Sequence, residues 1–159
     1  MRKSIILLLS VAFIISCNNS ASNESPSEDS IAEADLLPEE RLAWITEYDS
    51  LKNEFVLKQQ RIVNAETLTA QGVIADINAT WDSIKIVYRR VSNDTLYVAI
   101  PESDFLTQQM GSSGSSEYMA SATYNLTELK GIRFVNYDFK EGDHLSPGTF
   151  SRDNFKEFR

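Results

Sequence analysis

Ile84-Lys85-Ile86-Val87-Tyr88-Arg89 and Thr95-Leu96-Tyr97-Val98-Ala99-Ile100, separated by Ser92-Asn93-Asp94, decide the fold. In the first run Ile84, Ile86 and Tyr88 alternate with Lys85, Val87 and Arg89; in the second Leu96, Val98 and Ile100 recur at every other place. A period of two puts one set of side chains on a core and the other in water, which is a half-buried strand. Ser-Asn-Asp is turn chemistry, so the pair reads as a β-hairpin.

On the downstream side, Pro101 to Ser113 is a long connection containing Gly111-Ser112-Ser113-Gly114. A helix is expected from about 115 to 129, with Tyr118, Met119, Ala122, Leu126 and Leu129 on one face and Gly131 as its stop. The apolar stretch 132–139 follows as a strand. Strand 95–100, helix 115–129 and strand 132–139 form a crossover, whose two strands should be parallel and right-handed. Upstream, Thr69 can cap a helix over about 69–80 that places Val73, Ile74, Ile77 and Trp81 on one face. Ahead of it, Pro38, Glu39 and Glu40 suit a helix start, and Trp44, Tyr48, Leu51 and Phe55 step by four, three and four. That spacing predicts a helix over 38–58; the competing reading is a short strand through Glu54-Phe55-Val56-Leu57, which would give the order β-α-β-β-α-β. Ser151 can cap a terminal helix that sets Phe155 and Phe158 on the body. The expected class is α+β: a small sheet of three to four strands, made of the β-hairpin and the right-handed parallel crossover, with helices packed on one face.

Thr95 to Ile100, Tyr124-Asn125-Leu126-Thr127-Glu128-Leu129, Gly131-Ile132-Arg133-Phe134-Val135 and the turn at Gly142 resemble the GerMN-type domain family, named for bacterial spore germination and sporulation proteins. The resemblance covers roughly residues 65–145. Asn125 stands where that family has the first Thr of a Thr-Leu-Thr-like run. The likeness implies a small extracytoplasmic module of membrane-anchored or envelope proteins, with no catalytic residues to carry over and no implication of sporulation.

The N-terminus carries the other clear signal. Arg2 and Lys3 precede the apolar run Ile5 to Ile15, and Ile14-Ile15-Ser16-Cys17 closes it around the only cysteine. The run is about half of the roughly 20 apolar residues needed to span a bilayer, so it reads as a signal-peptide core. The layout is that of a bacterial lipoprotein: residues 1–16 are the signal peptide and Cys17 is the acylated first residue. Residues 17–37 form a disordered tether of Ser, Asn, Glu, Asp and Pro, and 38–159 form one globular domain. Acylation consumes the only thiol, which excludes a disulfide and a catalytic cysteine, and multiple acyl chains hold a protein stably on a membrane. The tether spans about 25 Å root-mean-square as a flexible chain. Asn18 rather than Asp follows Cys17, which favours the outer membrane over inner-membrane retention.

The chain has 15 basic and 23 acidic residues, a net charge of −8, and loss of Arg2 and Lys3 leaves 13 against 23, or −10. Such a balance argues against nucleic acid as a partner. Asp138, Glu141, Asp143 and His144 form the one dense cluster of potential cation ligands, with oxygen donors for a hard ion but too few His or Cys for zinc. Ser113, Gly114 and Ser115 open the expected helix, where backbone N–H groups attract anions, although no Lys-Ser/Thr follows as in a nucleotide P-loop. Trp44 and Trp81 suit either core packing or a sugar-stacking platform. Asp29-Ser30-Ile31, Asp49-Ser50-Leu51, Asp82-Ser83-Ile84 and Asp94-Thr95-Leu96 resemble an O-glycosylation pattern of some Gram-negative envelope proteins. No nucleophile elbow surrounds any serine and the single His144 limits any triad. The expectation is a non-enzymatic lipoprotein without a cofactor, held to the membrane by its lipid and binding a protein or cell-wall partner. The alternative is a binder of a small ligand, anion or divalent cation through the 138–144 loop or the 111–116 helix start.

Overall fold

The computed structural model describes residues 36–158. The signal peptide, Cys17, nearly all of the 17–37 tether and the Asp29-Ser30-Ile31 triplet lie outside the described residues. In chain order the elements are α1 (Pro38–Arg41), β1 (Trp44–Asp49), β2 (Glu54–Gln59), α2 (Ala70–Thr80), β3 (Val87–Ser92) and β4 (Thr95–Ala99). A π-helical turn (Phe105–Gln109), α3 (Gly111–Leu126), β5 (Phe134–Asp138), β6 (Gly148–Phe150) and a 3-10 segment (Arg152–Phe158) complete the domain. The class is α+β, as expected.

β3, β4, β5 and β6 are neighbours in that order in one mixed sheet. β3 and β4 are the antiparallel hairpin, closed by Ser92 opposite Thr95 with Asn93 at a φ of 55° in the turn. β4 and β5 are parallel, in register Leu96 to Val135 and Val98 to Tyr137, with α3 as the crossover between them. β6 adds antiparallel to β5. The first strand begins at Val87, three residues later than the alternation suggests. Ile84 and Ile86 are buried nonetheless, because Asn78 of α2 takes both backbone groups of Ile86: its Nδ2 donates to Ile86 O at 2.9 Å, and its Oδ1 accepts from Ile86 N at 2.7 Å.

The helix expected over 38–58 is not there. Only Pro38–Arg41 is helical, and the rest is the antiparallel hairpin β1–β2, so the competing reading of a strand at Glu54–Leu57 holds. Trp-Ile-Thr and Phe-Val-Leu are β-branched and aromatic residues that favour a pleated surface, and Asp49 Oδ1 accepts from Leu51 N and Lys52 N to fold the chain back. Two members of the apparent helical stripe, Tyr48 and Phe55, do meet, but across the strands, with ring centroids 5.4 Å apart. Leu51, the third, is 97% exposed at the tip. The order β2-α2-β3-β4-α3-β5 therefore reproduces the β-α-β-β-α-β pattern in sequence, while β2 pairs with β1 instead of joining the main sheet.

α2 matches its expectation, with Gly72 N donating to Thr69 Oγ1 at 3.1 Å as the cap and Val73, Ile74 and Ile77 buried. α3 is the centre of the domain. It is buried on every side from Tyr118 to Leu126, which is the mark of a helix enclosed by other elements. Leu96, Val98, Val135 and Tyr137 of the sheet are buried with Tyr118, Met119, Ala122 and Leu126 of α3 in one core. Its other side carries the β1–β2 hairpin. There Asn125 Oδ1 accepts from Ala43 N at 2.8 Å and Trp44 N at 3.1 Å, and its Nδ2 donates to Trp44 O at 2.7 Å. α3 ends at Leu126, short of the expected 129, and the chain turns through Gly131 at a φ of 76°. The terminal 3-10 segment buries Phe155 and Phe158, as expected, with Phe155 stacked on Phe150 at 5.9 Å.

Candidate functional site

The two clusters singled out in the sequence abut each other. The 138–144 loop lies on the segment that leads into α3: Ser103 Oγ donates to Lys140 O at 3.1 Å, His144 N donates to Thr107 O at 3.1 Å, and Ser112 Oγ and His144 Nδ1 are 3.2 Å apart. Gly142 is required there, since a Cβ at that position would stand 2.6 Å from Thr107. Two of the acidic groups, Glu141 and Asp143, are spent on separate neighbours. Glu141 accepts from Ser146 Oγ at 2.5 Å. The Gln108 amide, in the orientation that satisfies both groups, donates to Asp143 Oδ2 at 3.1 Å and accepts from Asp143 N at 3.3 Å. Asp138 sits exposed at the end of β5. Among the described residues no group of three or more His, Cys, Asp or Glu side chains is arranged to hold a metal ion. The cluster is an interlock between two loops.

Ser113, Gly114 and Ser115 are not a loop before the helix: α3 begins at Gly111 and includes them. The π-helical turn closes with Met110 N donating to Phe105 O at 3.1 Å, and Gly111, at a φ of 70°, reverses the chain there so that α3 starts afresh. Ser115 is buried and its Oγ donates to Gly111 O at 2.9 Å and to Leu106 O at 2.5 Å, so its side chain is turned away from solvent. The Ser112–His144 contact is a hydroxyl beside an imidazole, but among the described residues no carboxylate orients the other ring nitrogen, as a triad would need.

Both tryptophans are half-buried and occupied. Trp44 Nε1 donates to Glu128 Oε1 at 2.7 Å and its ring meets Tyr124 edge-on at 5.1 Å. Arg152 donates to the same Glu128 oxygen and to Thr127 Oγ1 at 2.8 Å, tying the terminal segment to the end of α3. Trp81 meets Tyr118 edge-on at 5.4 Å. These are packing roles. Of the described Asp-Ser/Thr-apolar triplets, Ser50 and Ser83 both stand exposed on turns, while Thr95 is half-buried in β4 and Ile84 and Leu96 are fully buried. Burial pushes the hydroxyl pKa of Tyr118 and of Tyr137 well up, so neither serves as a proton donor near neutrality.

A surface that the sequence reading passed over is the outer face of the main sheet. Alternation sends Leu96, Val98, Val135 and Tyr137 inward, and leaves Arg90, Tyr97, Asn136 and Thr149 on the opposite side. Asn136 Nδ2 donates to Thr149 Oγ1 at 2.8 Å across that face. The pairing of β3 with β4 shifts register between Tyr88 and Arg90, so Arg89 is the extra residue of a bulge. The Arg90 guanidinium lies 3.6 Å from the centre of the Tyr97 ring, close cation–π geometry. Around them is a shallow concavity of about 500 Å³, lined by Arg89, Arg90, Tyr97, Asn136, Gly148 and a single carboxylate, Asp138.

The charge pattern at this face is unlike that of the rest of the domain. Nine of the described lysines and arginines have a carboxylate partner: Arg41, Lys52, Lys58, Lys85, Lys130, Arg133, Lys140, Arg152 and Lys156. Arg61 is engaged as well, donating to Arg41 O at 3.2 Å. Among the described residues Arg89 and Arg90 have neither a carboxylate partner nor a hydrogen bond from the guanidinium, although acids outnumber bases in the chain by 23 to 15. The signal was present in the sequence as two adjacent arginines inside a strand of an acidic protein.

Comparison with protein-family models, with curated proteins and with solved structures finds no match to this chain. No helix among the described residues is long and apolar enough to cross a membrane.

Proposed function

We propose that this chain is a lipid-anchored extracytoplasmic module that works by binding, and that it docks a partner on the outer face of its main sheet. The observation that carries the reading is the Arg89–Arg90 pair, left without carboxylates in a domain where nine of the described lysines and arginines have one. Guanidinium groups beside a half-buried tyrosine are the side chains that dominate recognition surfaces, because they offer large rigid contacts and planar hydrogen bonding to anions. Cys17, acylated at the end of the signal, would fix the module to the envelope, with the outer membrane favoured by Asn18. The lipoprotein signal and the GerMN-type resemblance both support an envelope setting.

The test compares detergent-solubilised protein by sedimentation. The wild type is expected to travel as a complex larger than protein plus micelle. The Arg89→Glu/Arg90→Glu double variant should travel as protein plus micelle alone. Identical sedimentation of the two proteins would remove the docking role from this face.

A further inference from the structure

β3 is an edge strand. Its neighbour in the sheet is β4, and none of its backbone groups bonds elsewhere among the described residues. Asn78 occupies the backbone of Ile86, so the open ladder starts at Val87 and runs to Ser92. Ser92 and Thr95 close a two-residue turn as a hydrogen-bonded pair. The next pair outward, Val91 with Leu96, is therefore of the other kind, and Val91 turns its N–H and C=O away from β4. Val87 and Val91 are 39% and 45% exposed along this edge. Unpaired backbone groups flanked by exposed β-branched side chains form a template for another strand.

Charge decides which strand it accepts. Arginines in a bulge are a known guard against edge-to-edge association, and here they oppose a second copy of this chain, whose β3 would bring Arg89 and Arg90 against their equals. They do not oppose an acidic strand; they would supply the ion pairs that the domain itself leaves unmade. Two adjacent cations, with Asp138 nearby, are too small a positive field for a phosphate backbone or a highly charged polysaccharide, which need several contacts along their length. We therefore propose, resting on the reading of this face as the docking surface, that the partner is an extended acidic polypeptide segment that adds alongside β3. Its backbone pairs with the Val91 edge, and its carboxylates, on alternate residues, meet Arg89 and Arg90.

The experiment uses the full chain carrying Cys17→Ser and a synthetic peptide long enough to span β3, alternating Glu with Val or Thr. Saturable binding is expected, with slowed hydrogen exchange at the Val91 amide. A peptide with Lys in place of Glu should bind about tenfold more weakly or worse, as should the Arg89→Ala/Arg90→Ala protein with the original peptide. N-methylation of alternate peptide amides should abolish binding in the register that faces β3 and leave it intact in the other register. Because the methyl groups are on the peptide, the protein's own folding is untouched. Absence of saturable binding, equal binding of the two methylated peptides, or undiminished binding of the Lys peptide would overturn the proposal. None of these results bears on the sedimentation comparison, which judges the face itself.

Discussion

Asn125→Ala should cut the domain's stability by about 3 kcal/mol and release the β1–β2 hairpin ahead of the rest. Asn125 is 3% exposed and uses its whole amide. It accepts from Ala43 N and Trp44 N and donates to Trp44 O and to Ser121 O, at 2.7 to 3.1 Å. Truncation to Ala leaves the N–H of buried Ala43 with no partner, strips Trp44 N, and leaves Trp44 O only the long contact of 3.5 Å from Ser121 Oγ, at a half-buried position. An orphaned buried polar group costs about 1–3 kcal/mol, and half-buried ones recover part of that from water. Ser121 O keeps its place in the helix, so it adds little. One full penalty and two partial ones sum to about 3 kcal/mol, a large share of the roughly 5–15 kcal/mol that holds a domain together. Urea unfolding of the Cys17→Ser protein, followed by tryptophan fluorescence, gives the global change. Hydrogen exchange at the β1 and β2 amides gives the local one. A loss below about 1 kcal/mol, or a hairpin exchanging as slowly as before, would refute the reasoning that this amide clamps the hairpin to α3.

The remaining predictions concern the core, one glycine and the anchor. Tyr118 Oη is buried without a hydrogen-bond partner, so Tyr118→Phe should be neutral or stabilise by about 1 kcal/mol in thermal or urea unfolding. Tyr137→Phe, which removes the contact of 3.1 Å between Tyr137 Oη and Thr123 Oγ1, should instead cost about 1 kcal/mol. Both hydroxyls have folded pKa values raised above the ordinary 10.0. The fold binds these protons more tightly than the unfolded chain, so their contribution is complete below pH 10 and is lost as pH climbs above it. Alkaline unfolding should therefore be delayed in the double Phe variant relative to the wild type. Gly142→Ala places a methyl group 2.6 Å from Thr107 and should cost about 1–3 kcal/mol while loosening the 138–144 loop, measured by unfolding and by exchange at His144. Cys17→Ser should move the protein from the membrane fraction to the soluble fraction without changing its far-ultraviolet circular dichroism.

Much of the second half of the domain was legible in the sequence because local and tertiary preferences agree there. The hairpin of β3 and β4, the cap at Thr69 and the parallel pairing of β4 with β5 each follow from a short-range pattern that the fold keeps. The first half was misread because residues 44–55 satisfy two periods at once. Trp44, Tyr48, Leu51 and Phe55 step like a helix, yet their β-branched neighbours and Asp49 turn them into a hairpin whose stability comes from Asn125, 81 residues further on. No local pattern announces that contact. The start of α3 was missed for a similar reason: Gly and Ser are poor helix formers, but Ser115 is buried there and bonded to Leu106 O, a contact from outside the helix. The site was the least legible part. The 138–144 acids look like ligands when read in a row, and only their positions in space show Glu141 held by Ser146, Asp143 held by Gln108 and Asp138 standing apart. Arg89 and Arg90 look like an ordinary solvated pair until the ion pairs of the other cations are traced.

The central claim is that the face carrying Arg89 and Arg90 is where this protein meets its partner. Photo-crosslinking in intact cells tests it most directly, with the reactive side chain placed in turn at Thr149 on the outer face and at Lys156 on the terminal segment. The prediction is a discrete adduct from position 149 that disappears when Arg89 and Arg90 are changed to Glu, and none from position 156. Adducts of equal yield from both positions, or an adduct at 149 indifferent to the two arginines, would contradict it.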